Sequence, residues 1–200
     1  IFFKTVYGNL TIDGSAQLDV GSGLNYSIDL KGNWTNTSSN ANPFVERNGT
    51  VTFSGTTEQT ITNANTEAFY KLTVDKASGK VILANNTDIS NTLTLTNGAL
   101  DLNSKIITVN NAATNSISRT NGYIISELTD NTSKVKWNIA STTGSHVFPF
   151  GKTDGTYIPF NLNLTAGTIG NVTVSTYPSA TNNLPKPSTP NAVDHILDAK

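Results

Sequence analysis

Short runs that read apolar, polar, apolar recur along the first half of the chain at a fixed step. Val51-Thr52-Phe53, Leu72-Thr73-Val74 and Leu93-Thr94-Leu95 each begin 21 positions after the one before (72 − 51 = 21; 93 − 72 = 21). Alternate side chains of a strand point to opposite faces, so each run buries its first and third residues and turns the middle threonine the other way. A step near 20 residues with a strand in every period marks a solenoid, whose turns cover one another because none can bury its apolar face alone. The pattern predicts an all-β fold that opens with a right-handed parallel β-solenoid (β-helix), with roughly five turns between Leu10 and Val109 and strands ~4.8 Å apart. Val51, Leu72 and Leu93 are expected in one interior column, and Phe53, Val74 and Leu95 in another.

A second register points the same way. Leu10-Thr11-Ile12, Leu18-Asp19-Val20 and Ile28-Asp29-Leu30 match Leu93-Thr94-Leu95, Leu100-Asp101-Leu102 and Ile107-Thr108-Val109. Between these runs stand Asp13-Gly14-Ser15, Gly21-Ser22-Gly23, Asn97-Gly98 and Asn103-Ser104, residue types that turn the chain at low cost because Gly and Asn tolerate positive φ. The expected unit is a turn of two or three short strands with tight corners. No stretch carries sustained 3.6-residue periodicity with caps, so helix is expected to be nearly absent.

After Asn110-Asn111 the pattern changes. Tyr123-Ile124-Ile125, Lys134 to Ile139, His146 to Phe150, Tyr157 to Leu164 and Asn171 to Ser175 are longer alternating runs separated by turn signals, which predict an antiparallel β-sandwich-like module. Gly151-Lys152-Thr153-Asp154-Gly155-Thr156 is a hairpin candidate. The expected organisation is β-solenoid repeats over 1–112, the sandwich-like module over 116–177, and a Pro-rich linker with the start of a further strand over 178–200. The open end of a solenoid exposes unpaired strand groups, so the segment after Asn115 is expected to cap it, with Ile117, Tyr123 and Ile125 supplying apolar contact.

Composition narrows the partners. Thr supplies 31 residues and Asn 26, suited to strand surfaces and to corners respectively. Thirteen basic residues against 14 acidic leave a net charge of −1, too little field to steer nucleic acid, and no apolar run reaches the ~18 residues of a membrane-spanning helix. The chain has no cysteine, hence no disulfide and no cysteine-held metal. It begins Ile1-Phe2-Phe3-Lys4 and contains no methionine, so it reads as a piece of a longer, processed protein.

The segments Gly32-Asn33-Trp34-Thr35-Asn36, Gly49-Thr50-Val51-Thr52-Phe53-Ser54-Gly55 with Gln59-Thr60-Ile61, Phe69-Tyr70-Lys71-Leu72-Thr73-Val74 and Leu93 to Leu102 resemble the repeats of very large secreted surface proteins of Bacteroidetes. His146-Val147-Phe148-Pro149-Phe150-Gly151 with Tyr157-Ile158-Pro159 resembles the Phe-Pro-x-Gly segment of a module that often follows such repeats. The resemblance implies a type IX secretion substrate, extracellular or on the outer cell surface of a Gram-negative bacterium, with adhesin character in some relatives. It implies no catalytic residue.

Residues able to carry chemistry are few. His146 and His195 stand in different segments, outside any metal-binding spacing, and His146 beside Val147 and Phe148 reads as a strand residue. Asp19, Asp29 and Asp101 hold the middle positions of short strands. Stacked turns would bring them together as a polysaccharide-cleaving set needs, but solvated outward positions are the favoured reading. Arg47 and Arg119, the only arginines, lack the lysine and acid pattern of a lyase face. Asp88, Asp130 and Asp154 in polar turns are calcium candidates, although isolated turn aspartates usually cap their own backbone. Thr52, Thr73 and Thr94 share one phase and evoke an ice-ordering threonine ladder, which Lys71 and Asp75 interrupt. Among the aromatics, Trp34, Tyr123 and Tyr157 are the candidate carbohydrate contacts, with Trp137 and Tyr177 also considered. Both tryptophans read more readily as core.

Two functions follow as expectations. The first is a non-catalytic structural or adhesive segment, a rigid stalk presenting binding modules, with other segments of the same polypeptide, surface polysaccharide or the secretion machinery as partners and no cofactor. The second is a carbohydrate-binding or polysaccharide-cleaving module.

Overall fold

The computed structural model describes residues 3–64 and 66–178. Among the described residues every regular element is a strand. The chain winds through three faces in turn, and each face is a parallel ladder. On the first, Phe3–Val6, Ser27–Leu30, Thr50–Phe53, 71–74, 92–95 and Ile117–Arg119 lie side by side, so six strands span five turns. On the second, Leu10–Ile12, Trp34–Asn36, Gln59–Asn63, 80–83, 99–101 and Tyr123–Ile125 stack in the same way. On the third, Leu18–Asp19 pairs with Phe44–Val45, and 67–69, 87–89, Ile106–Val109 and 134–137 form a continuous ladder. Two uninterrupted strands, Glu67–Leu83 and Thr87–Asp101, bend around the corners and serve all three faces. The chain is a β-solenoid.

The interior columns are those the 21-residue step predicts. Val51 pairs with Leu72 and Leu72 with Leu93, while Phe53 pairs with Val74 and Val74 with Leu95. All six are buried, and five of them, Phe53, Leu72, Val74, Leu93 and Leu95, completely. The column continues to Ile28 above and Ile117 below, where the step widens to 23 and 24 residues (51 − 28 = 23; 117 − 93 = 24). Each buried aliphatic side chain contributes about 1.5–3 kcal/mol, against the entropy of ordering a turn that has no core of its own.

The corner between the first and second faces admits almost no side chain. Gly32, Gly55, Gly79, Gly98 and Gly122 stand there in successive turns, and a Cβ on Gly55 would come within 2.1 Å of the Lys31 carbonyl oxygen. Elsewhere asparagines tie turn to turn. Asn9 Oδ1 accepts from Asn33 N–H (2.8 Å), Asn33 Oδ1 from Thr60 N–H (2.9 Å), and Asn86 Oδ1 from Ile106 N–H (3.0 Å). These carboxamides occupy donors that the ladder leaves free where the chain turns away from it.

The expected boundary at 112–116 is not where the pairing changes. Ile117–Arg119, Tyr123–Ile125 and 134–137 continue the parallel ladders, because each again alternates inward and outward in phase with the turn above. Ile117 and Ile125 are therefore buried within a turn of the solenoid rather than acting as a lid, and Tyr123 is half-buried. Antiparallel pairing comes later: Gly170–Val174 runs against Lys134–Ala140, and Gly144–Phe148 pairs with Phe160–Leu164. The 151–156 segment forms the predicted turn, with a bridge between Gly151 and Tyr157 and a 2.8 Å bond from Lys152 N–H to Thr156 O. Phe148 and Phe150 carry the cover, both fully buried, with Phe148 edge-on to Trp137 at 5.4 Å and Phe150 bridged to Ile124. The Pro-rich linker beyond Pro178 and the strand expected near Val193 lie outside the described residues.

Candidate functional site

Polar residues on the inward phase of a strand are the exceptions that need a reason, and among the described residues two groups of them contain a buried charged side chain. The first surrounds Gln59 and Lys76. Lys76 Nζ donates to the carbonyls of Gly55 and Thr57 (2.6 Å) and to Gln59 Oε1 (2.7 Å). Gln59 in turn donates to the carbonyls of Leu30 and Gly32 and accepts from Gly55 N–H. Lys76 is 2% exposed, and burial, helped by the charge of Lys31, pulls its ammonium down to about 8. Every bond it makes is to the corner loop, so this cluster fastens turns together.

The second group opens to solvent. Glu67 begins the third-face strand of the third turn, and its inward phase places the carboxyl beside Trp34 and Asn36 of the turn above. Its Oε2 accepts from Trp34 Nε1 (2.9 Å) and Asn36 Nδ2 (2.7 Å). With its amide nitrogen turned inward, Asn63 donates to the same oxygen at 3.2 Å. Burial raises the Glu67 carboxyl above the usual range; the bonds from Asn36, Trp34 and Ala68 N–H oppose the rise, and the charge of Glu46 adds to it. Beneath lies an aromatic cluster, Trp34 edge-on to Phe44 at 4.7 Å and to Phe69 at 5.2 Å. Above lies a cavity of about 260 Å³, lined among others by Asn36, Ser38, Phe44, Glu46, Asn63 and Glu67, with no lysine or arginine among the described residues of its wall. Its rim is braced by its own side chains: Asn40 N–H donates to Ser38 Oγ (3.1 Å) and Asn42 N–H to Asn40 Oδ1 (2.9 Å).

The carboxylates singled out in the sequence are not brought together. Asp29 is on the first face beside Lys31 (3.1 Å) and bonded by Ser54, Asp101 is on the second with Lys80 (2.8 Å), and Asp19 is on the third. Arg47 grips Asp19 through two nitrogens, and that hydrogen-bonded pairing lowers the exposed carboxyl to about 2. Asp130 caps Thr132 N–H (3.0 Å) and Asp154 caps Thr156 N–H (2.8 Å), while Asp88 lies mid-strand between Ala68 and Thr108. Among the described residues no three His, Asp or Glu side chains are grouped as metal ligands.

The aromatic candidates separate. Trp34 is fully buried, its ring packed between Phe44 and Phe69, so it presents no face to a sugar. Its place between apolar Leu10 and Ile61 in the second-face ladder is what buries it. Tyr123 and Tyr157 both border Gly151, the first through its ring and the second through a backbone bridge, and the Arg119 guanidinium lies 3.9 Å above the Tyr157 ring. Trp137 is buried and donates to Asn111 O (2.8 Å). His146 is buried edge-on to Trp137 at 5.0 Å, its ring nitrogens 3.2 and 3.3 Å from the carbonyls of Gly144 and Ala112; His195 lies outside the described residues.

Sequence reasoning passed over Glu67. The signal was its phase: Glu67, two positions before Phe69, stands where the other turns carry Thr87, Ile107 and Val135. Comparisons with protein-family models, with curated proteins and with solved structures give no match, so the site is read from its own geometry.

Proposed function

We propose that the chain is a non-catalytic structural or adhesive segment of a large secreted protein on the outer surface of a Gram-negative bacterium, a stiff stalk that spaces and presents binding modules. The observation that supports it best is the unbroken register from Lys4 to Ile117, in which every turn is hydrogen-bonded to the next over the whole first face. Such stacking resists bending and adds length at little cost in sequence. In this reading the coil winds right-handedly, as crossovers between parallel strands overwhelmingly do. The antiparallel segment from Gly144 onward ends it, and neighbouring segments of the same polypeptide, secretion machinery and surface polysaccharide are its partners. Export by the type IX route follows from the repeat resemblance.

A carbohydrate-binding or carbohydrate-cleaving role is the second reading, favoured by the Glu67 cavity and by the exposed Tyr157 ring. Incubating the purified chain with acidic and neutral polysaccharides and measuring new reducing ends separates binding from cleavage. No turnover is expected, since Asp19, Asp29 and Asp101 sit on three faces. Turnover abolished by D19N, D29N or D101N would replace the stalk reading with an enzymatic one. Antibody labelling of intact source cells tests the location.

A further inference from the structure

The Glu67 cavity has a composition that the stalk does not need. A carboxyl 5% exposed is held in one orientation by the indole of Trp34 and the amide of Asn36, and a second carboxylate, Glu46, lines the same space. A stack of turns is served equally well at this position by Thr87, Ile107 or Val135, as the following turns show. Burying a carboxylate where an aliphatic side chain fits costs stability.

We propose that this cavity binds a single pyranose residue bearing hydroxyl or amino groups and no acid group. Its volume, about 260 Å³, lies just under the roughly 300–1,000 Å³ of pockets for drug-sized molecules, which suits one six-membered ring and not a chain. Sugar hydroxyls both donate and accept. The Asn36 carboxamide, with an N–H and an oxygen lone pair beyond its bonds to Glu67 and Ser38, answers both needs, and the Asn63 oxygen, Glu67 and Glu46 accept only. Phe44 supplies an apolar wall for the C–H face of the ring. Two carboxylates, with no lysine or arginine among the described residues of the wall, repel uronic acids and sulfated sugars and favour a protonated amino group. Rigid bracing of the 38–42 loop lowers the ordering cost of binding. The inference rests on the carbohydrate-binding reading and not on the stalk role, and a sugar site on each copy would give the chain the weak, multiplied contacts of an adhesin.

The two tryptophans make the test internal. Trp34 Nε1–H touches the carboxyl that borders the cavity, whereas Trp137 Nε1–H bonds Asn111 O, so a ligand in the cavity moves one indole NMR resonance and not the other. The 15N-labelled chain is titrated with D-glucosamine, D-glucose and D-glucuronate. The expected result is a saturable shift of the Trp34 indole alone, with a dissociation constant on the order of 1 mM for glucosamine and glucose and at least about tenfold weaker binding of glucuronate. Glu46→Gln, a change at the rim, should narrow the gap between glucosamine and glucuronate. An unmoved Trp34 resonance with all three sugars, equal shifts of both indoles, or glucuronate binding as tightly as glucosamine overturns the proposal. So does a Glu46→Gln variant that discriminates as the native chain does. The polysaccharide-cleavage and cell-labelling results remain separate from each of these outcomes.

Discussion

A buried polar residue in a solenoid can serve its own loop or face the solvent, and Lys76 and Glu67 divide along that line. Lys76 supplies donors to two carbonyls and one carboxamide of its corner, so Lys76→Met should cost roughly 2–4 kcal/mol in urea unfolding at neutral pH. Its ammonium is lowered in the fold to about 8, so between about 8 and 10.5 the unfolded chain holds a proton that the folded chain has released. The native chain should gain stability relative to Lys76→Met as pH rises through that window. Glu67 behaves oppositely. Its carboxyl is raised in the fold, so just above the ordinary value of 4.5 the folded chain holds the extra proton and stability falls as pH rises. Glu67→Gln should remove that slope, read as the difference between the two urea-unfolding curves from pH 4 upward. An identical pH dependence of native and variant chains would mean that the carboxyl is not buried as described. Neither residue was legible as functional in the sequence, because lysine and glutamate among strand residues normally mark the outward phase.

At the scale of the strand, the 21-residue step named the right interior columns because it compares the same face in successive turns. The second alignment, of residues 10–30 with 93–109, identified strands correctly but displaced them by a face. Leu10–Ile12 lies on the second face and 93–95 on the first, while Ile28 is on the first and Ile107 on the third. All three strands of a turn read apolar, polar, apolar, so nothing in the alternation says which face a strand occupies. The glycines at the first corner do say it. Gly32, Gly55, Gly98 and Gly122 recur where the backbone of one turn lies against the next, and Gly55→Ala drives a Cβ into the Lys31 carbonyl. That variant should lose about 3 kcal/mol in chemical unfolding, whereas alanine at the exposed Gly14 meets no neighbouring atom and suffers only from its positive φ of 56°. The boundary expected at 112–116 was misplaced for a related reason. The longer 110–116 and 126–133 connections interrupt the period without interrupting the ladder, and the eye reads a changed spacing as a changed fold. The cover over the last turn comes instead from Phe148, Phe150 and Gly170–Val174. Removing residues 141–200 should uncover Trp137 and Ile139 on the Lys134–Ala140 strand and produce concentration-dependent aggregation in light scattering. A truncated chain that stays monomeric with unchanged thermal stability would show that this segment is not a cover.

For the whole molecule, a stack in which each turn touches only its neighbours should tolerate the loss of one complete turn and not of half a turn. Residues 93–116 make such a turn, because Leu93 and Ile117 are register partners on the first face. Deleting them joins Thr92 to Ile117 and places Ile117 under Leu72, Ile124 under Val81 and Val135 under Thr87, each inward residue still over an inward position. The tryptophan bond is preserved in kind as well. Val109 pairs with Ile89, so Asn91 takes the place of Asn111 opposite Trp137 Nε1. Deleting 93–104 instead removes first- and second-face strands and leaves the third, so that Ile106–Val109 would have to stack on 71–74 or leave a gap. The full-turn deletion should therefore keep a β-type circular dichroism spectrum and a cooperative unfolding transition, shifted down by the loss of one interface, and the half-turn deletion should show neither. Equal collapse of both variants would mean that the segments beyond Ile117 and before Leu93 depend on one particular neighbour rather than on a shared register, and the molecule would then be a single globular core wound as a coil instead of a sum of interchangeable turns.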